Sequence, residues 1–307
     1  MRFLDRTSGA PLSAATQSDS RAAAGVALRP MRAADAPAAH RLSEAVQWPH
    51  RLVDWKFVVA LGEGVVAERD GAVVGSGLVW NWGPAHATLG LVIVDPACQG
   101  QRIGIRLMQA LLEIAGERSI LLHATAEGRG LYERLGFVQA AEVRQHQGQA
   151  AHAPLVALES GARLRPASRR DLARLVALDA AACGMPRDAL IRKLVETAET
   201  VVLDHDGQPR GFSMLRRFGR GWVIGPVVAP DAEAARALIA HWVARETGKF
   251  VRIDTDYACG LTGWLETLGL KRVGNPTAMV RGAALVRGAA VKGMPARAFA
   301  LVSQALG

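Results

Sequence analysis

Apolar positions along the chain recur with two periods. A short alternating run over 26–31 predicts a strand, and helical spacing over 33–46 follows, with Asp35 in the first turn where negative charge suits the helix dipole. A second helix is predicted over 51–61. Val65–Arg69 and Ala72–Trp82 flank Asp70-Gly71, the two-residue signal for a hairpin with a tight primed turn. The run 87–94 is too apolar to have a wet face, which places it at the centre of a sheet. After Asp95-Pro96 a glycine-bearing loop leads into a helix over 102–116, with Ile103, Leu107, Leu111 and Leu112 on one face. A buried strand (119–125), a helix (127–135) and a last strand (137–146) close the unit. This order of elements predicts an α/β or α+β layered domain.

The same pattern then returns. Val65-Val66, Asp70-Gly71 and Gly75 are answered by Val201-Val202, Asp206-Gly207 and Gly211 at an offset of 136 residues. Leu28-Arg29-Pro30 with Asp35 is answered by Leu164-Arg165-Pro166 with Asp171 at the same offset, and Leu135-Gly136-Phe137 by Leu268-Gly269-Leu270 at an offset of 133. Three matches in order argue for duplication of one domain. The expected division is a loose tail over 1–25, a first domain over 26–150 and a second over 163–305.

Composition narrows the class. Half of the 307 residues are apolar and 21% are charged, which excludes a wholly disordered chain. No window holds the ~20 uninterrupted apolar residues of a membrane span, so the reading is a soluble protein with no membrane partner. Three distant cysteines without a Cys-x-x-Cys pair indicate neither a disulfide framework nor a zinc site, and a cytoplasmic location fits best. Of the net charge of +9, residues 151–307 hold most, with 22 basic against 14 acidic side chains. A basic half raises the question of nucleic acid, but no run of consecutive basic residues appears, which argues against it.

The stretch Gln99-Gly100-Gln101-Arg102-Ile103-Gly104-Ile105 joins a buried strand to a helix. Such a junction presents unpaired N–H groups at the positive end of a helix dipole, where a pyrophosphate can be held by main chain alone. Neither a Walker loop nor a dinucleotide G-x-G-x-x-G occurs, so nucleoside triphosphate and nicotinamide chemistry lose support.

Here the sequence resembles the GNAT family of acyl-CoA N-acyltransferases. The family's phosphate loop, Q/R-x-x-G-x-G/A after a strand ending in V-D-P, is similar to Gln99 to Gly104 after Val94-Asp95-Pro96, with Arg102 in place of the middle glycine. Its second signature, L-Y-E-K-x-G-F, is similar to Leu131-Tyr132-Glu133-Arg134-Leu135-Gly136-Phe137. Residues 163–305 resemble the divergent second domain of tandem members. The resemblance implies two mixed, mostly antiparallel sheets flanked by helices, acetyl-CoA as co-substrate without a metal, and attack by a primary amine on the thioester. It implies main-chain contacts to pantetheine from Val92, Ile93 and Val94, and a proton-donating role for Tyr132.

Other assignments follow from residue chemistry. The strand 87–94 has no carboxylate where many relatives carry a glutamate, so His123 on the neighbouring strand is the expected base, with a water chain as the alternative. Trp48, Asp54, Trp55, Trp80 and Trp82 are expected to wall a site for a small-molecule or lysine-like amine, or else to be core under the second domain. Cys98 is read as incidental, with no basic partner expected beside it. In the second copy the loop reads Asp231-Ala232-Glu233-Ala234, which would repel a pyrophosphate, and Leu265 replaces the tyrosine. That copy is expected to cover the acceptor cleft, to shape selectivity through Arg216, Arg217 and Trp222, or to form a homodimer contact. The competing reading is a sensor or scaffold that binds an acyl-CoA without turnover.

Overall fold

The computed structural model describes residues 25–283, 290–291 and 294–307. The expected tail falls on residues 1–24, outside the described residues, apart from Gly25 at its end. The first half runs β1 (Val26–Pro30), α1 (Ala36–Ala45), α2 (Leu52–Val59), β2 (Glu63–Arg69), β3 (Ala72–Trp82), β4 (His86–Val94), α3 (Ile103–Ala115), β5 (Ser119–Ala124), α4 (Ala126–Arg134) and β6 (Val138–Gln149). The second repeats it as β7 (Ala162–Pro166), α5 (Leu172–Cys183), α6 (Asp188–Thr197), β8 (Glu199–His205), β9 (Gln208–Phe218), β10 (Gly221–Ala229), α7 (Ala232–Arg245), β11 (Phe250–Asp256), α8 (Thr262–Thr267), β12 (Lys271–Gly274) and β13 (Thr277–Arg281). A further strand, β14 (Arg297–Ala300), follows.

The duplication is visible at the level of single hydrogen bonds. Arg29 pairs with Asp35 through two bonds of 2.8 and 2.9 Å and reaches Glu68 with Nε at 2.8 Å. Arg165 makes the same two bonds to Asp171 and puts Nε 2.8 Å from Asp204. Both forks tie the start of the first helix to the hairpin, and the Arg165 guanidinium holds the Asp171 carboxyl down at about 2. The repeated Leu-Arg-Pro and Asp are therefore a structural clamp, which explains their match at one offset.

The two halves do not close separately, which corrects the expectation that the strand over 137–146 completes the first unit. β5 pairs with β13 of the second half, from Thr277 opposite Ala124 to Arg281 opposite Ile120. β13 in turn pairs with the start of β6. From Val143 onward β6 leaves that ladder and runs between β11 and β12, with Val143 opposite Asp256 and Gln149 opposite Phe250. Each half thus lends a strand to the other, and one 14-stranded sheet spans the molecule. Periodicity marks β6 as a strand but carries no information on which partner it joins. Apolar cores lie beneath α3, beneath α7, and between α1, α2, α5 and α6. No helix among the described residues is long and apolar enough to cross a membrane.

Candidate functional site

The loop after β4 is built by short-range bonding. Asp95 accepts from the Ala97 amide at 2.9 Å and so caps the tight turn Pro96–Cys98. Gly100 then takes φ +77° and Arg102 φ +59°, both left-handed. Nothing lies within 4 Å of where a Gly100 Cβ would stand, so the backbone angle, not crowding, calls for glycine there. Arg102 is the N-cap of α3 and gives it no side-chain cap, which leaves the first-turn amides of a 13-residue helix to be satisfied from outside the helix. Arg102 is exposed and adds a positive charge at that end. Cys98 is buried, and against expectation it has a basic neighbour, because the hairpin brings Arg69 Nη2 within 2.7 Å of its sulfur.

Beside this loop, β4 and β5 part. Their parallel pairing runs from His86 opposite Ser119 to Leu89 opposite Leu122 and ends there. Leu91, at φ +55°, sits in a bulge that shifts the register against β3. Gly90 to Val94 therefore turn away from β5, with Leu91 and Ile93 buried and the Val92 and Val94 side chains half-buried. The fork opens into a cleft of 640 Å³. One lip of it comes from residues 303–305: Ala305 lies against Gly90, where a Cβ would stand 3.1 Å from the Ala305 Cα.

Of the expected site residues, His123 and Trp48 line this cleft. His123 Nδ1 is 2.7 Å from the Gln304 carbonyl. A carbonyl only accepts, so Nδ1 carries a proton and donates it there. Tyr132 is turned away, packed edge-on to Phe137 with ring centroids 6.0 Å apart and against the core under α3. Burial pushes its hydroxyl up to about 12, so it holds its proton throughout the neutral range.

Four expected acceptor residues are instead structural. Trp55 donates to Ser43 Oγ at 3.0 Å, Trp80 to the Val58 carbonyl at 2.9 Å and Trp82 to Thr88 Oγ1 at 2.9 Å, and all three rings are buried. Their indole N–H groups are satisfied inside the core, so they present nothing to a ligand. Asp54 is bound by the Arg51 guanidinium at 3.0 and 2.7 Å and accepts from the Gly219 amide at 3.2 Å, which docks α2 on the second half. Arg217 and Trp222 stack on each other at 4.2 Å and do not line the cleft. Arg216 lies behind Phe218, its Cζ 4.9 Å from the ring centroid, and burial pulls it down to about 10.

What sequence reading missed comes from the exchange. Gln145 and Gln147 on β6, Phe218 at the end of β9 and Arg220 after it, Arg252 on β11, and Gln304 all face the cleft. The alternation of Gln145 and Gln147 about buried His146 is a readable signal that one face of β6 is polar and directed at something.

Among the described residues the second half differs at each corresponding position. Asp231 accepts from the Ala234 amide at 2.9 Å, so α7 caps itself with an acid where α3 is left uncapped. Leu265, in the place of Tyr132, is buried core. β10 and β11 pair only at Trp222–Val251 and Val223–Arg252, and the fork beyond is filled by β14, which pairs with β10 from Val227–Ala300 to Ala229–Arg297. Among the described residues no three His, Cys, Asp or Glu side chains are grouped to hold a metal ion.

Two family models match the chain, both described as an acetyltransferase (GNAT) domain, over residues 60–139 and 175–290. An uncharacterized N-acetyltransferase of Bacillus subtilis, YitH, is 31% identical over 170 residues, which span 54% of this chain and 59% of that protein. An inferred acetyltransferase from Pyrococcus horikoshii superposes with a TM-score of 0.74 at 19% identity, over 92% of this chain and 96% of that one. A tandem GNAT protein from the clavulanic acid biosynthesis pathway gives 0.62 at 14% identity, over 84% and 99%. These two likenesses show a shared fold.

Proposed function

The chain belongs to the GNAT acetyltransferases, with two GNAT domains in tandem, and from that premise we propose that its first half transfers an acetyl group from acetyl-CoA to a primary amine. The observation that carries the reading is the pairing of an uncapped helix start after two left-handed residues with a strand edge released from its neighbour. The amides from Gln99 to Ile105 would hold the diphosphate, and Val92, Ile93 and Val94 would bond the pantetheine arm as an added strand. Bound there, acetyl-CoA supplies an acyl group already activated as a thioester.

The chain's own residues handle protons and access. The His123 ring, oriented by its Nδ1 bond to the Gln304 carbonyl, takes up the acceptor's proton. Tyr132, its ring packed on Phe137 beside α3, keeps a proton at Oη for return to a leaving group. The second half covers the cleft and supplies part of its wall.

A sensor that binds acyl-CoA without turnover is the second reading, favoured by the non-glycine residue at Arg102, which strains the loop. Thiol release from acetyl-CoA with a panel of amines separates the two. The enzyme reading expects amine-dependent release, lost in His123→Ala, whereas acetyl-CoA binding without release on any amine would establish the sensor.

A further inference from the structure

A hydrogen-bonded row, passing through the main-chain carbonyl and the side-chain amide of Gln304, runs along the cleft from His123 to Gln147. Gln304 gives its carbonyl to His123 Nδ1 at 2.7 Å and donates its amide to Gln145 Oε1 at 3.0 Å. Gln145 donates to Gln147 Oε1 at 3.3 Å, and Gln147 lies opposite Arg252 in the ladder between β6 and β11. The row begins at an imidazole, and Arg252 lies across the ladder from its last member.

Charge at the guanidinium end is unbalanced. Arg252 is paired with Asp254 at 2.7 Å and Arg51 with Asp54 at 2.7 Å. Arg216 has one hydrogen bond, from Nη2 to the Val302 carbonyl at 3.0 Å, and its Nε is buried without a partner. Arg220 is exposed at the cleft and makes no ion pair among the described residues. Four arginines thus meet two aspartates there. His50, which also lines the cleft, adds no charge, because burial and then Arg252 pull its ring down to about 4. Glu127, the carboxylate of the cleft, follows Thr125 and Ala126 on the His123 side, where a positive amine would approach.

We propose that the acceptor is an amine whose far end carries a carboxylate, seated on Arg220 and Arg252 while the amine meets His123. The inference rests on the acetyl-transfer reading for its chemistry and on the row for its dimensions. Gln145 and Gln147 alone are separated by roughly 7 Å along the strand, more than the two bonds between amine and carboxylate in an α-amino acid can bridge. The geometry therefore selects ω-amino acids: a free aminoalkanoate, or lysine through its side-chain amine. A lysine within a protein chain lacks the carboxylate and is disfavoured.

The test compares 6-aminohexanoate with 6-aminohexanamide, in which only the charge is removed. Initial rates of thiol release and calorimetric affinities are measured for the native chain and Arg220→Gln, whose exposed side chain is dispensable for folding. The acid is expected to be preferred about tenfold in kcat/KM and in affinity, the worth of one charged hydrogen bond, and the preference is expected to shrink toward unity in R220Q. Equal rates and equal affinities for acid and amide would overturn the inference and leave acetyl transfer standing. Preferential binding of the acid that is lost in R220Q, with no thiol release on any amine, would keep the site and sink the transferase reading. Absence of detectable binding and turnover for the acid would overturn the inference as well.

Discussion

Replacing Gly100 by valine isolates the role of loop conformation. The position holds φ +77° with no atom within 4 Å of a new Cβ, so valine meets a backbone penalty and no steric one. A left-handed conformation costs an L-residue about 1–2 kcal/mol, with β-branched side chains at the upper end. The loop is exposed and relaxes in the free chain, so the penalty falls on the bound state, where the amides must face the diphosphate together. At 1.4 kcal/mol per decade, acetyl-CoA affinity should weaken roughly 5- to 30-fold with little change in Tm. Isothermal titration of acetyl-CoA into both proteins reads this directly. Gly71→Val is the control: Gly71 has the same φ of +77° and open surroundings but lies in the β2–β3 hairpin, so it should cost stability and leave affinity intact. Unchanged affinity in Gly100→Val, or equal loss in both variants, would refute the reasoning.

Three further outcomes are expected. Tyr132→Phe should lower kcat by about 10²-fold or more while KM for acetyl-CoA and Tm stay near native values, since the ring still packs on Phe137; a kcat within twofold of native would remove Tyr132 as general acid. Asp179→Ala should cost about 3–5 kcal/mol in denaturant unfolding, because Arg187, buried with it and bonded at 3.0 and 2.7 Å, would lose its counter-charge while still held by the Leu306 and Gly307 carbonyls; a cost under 1 kcal/mol would contradict the pairing. His50 has a folded pKa of about 4 against 6.5 unfolded, so the stability linked to its neutral form is complete above pH 6.5 and is lost as pH falls toward 4. His50→Gln should flatten stability in that window, and an identical acid profile for both proteins would contradict the assignment.

The sequence exposes whatever is local. Asp70-Gly71, the helix face of Leu107 and Leu111, and the repeat of Leu-Arg-Pro with Asp35 and Asp171 are readable from spacing, because each depends on residues close along the chain or repeated at one offset, whereas the bonding of Arg29 to Asp35 and of Arg165 to Asp171 behind that repeat is seen only in the structure. The turn after β4 and the start of α3 are readable for the same reason. The cleft wall is not, because it is assembled by exchange: Gln145 and Gln147 reach the cleft only when β6 crosses into the second half, and Gln304 only when its neighbour Ala305 lies on Gly90. Trp55, Trp80 and Trp82 mislead for a related reason. A tryptophan cluster on strands and helices reads equally as wall or core, and the decision rests on Ser43, the Val58 carbonyl and Thr88, which satisfy the indoles internally. Asp231 and Leu265 point the right way for the second half, yet β14 filling its fork is invisible to periodicity.

Calorimetric titration of acetyl-CoA into the native chain is the most direct measurement of whether one half alone carries a cofactor site. The expected result is saturation at one equivalent per chain, with affinity roughly 5- to 30-fold weaker in Gly100→Val. No heat at all, or saturation at two equivalents, would contradict it.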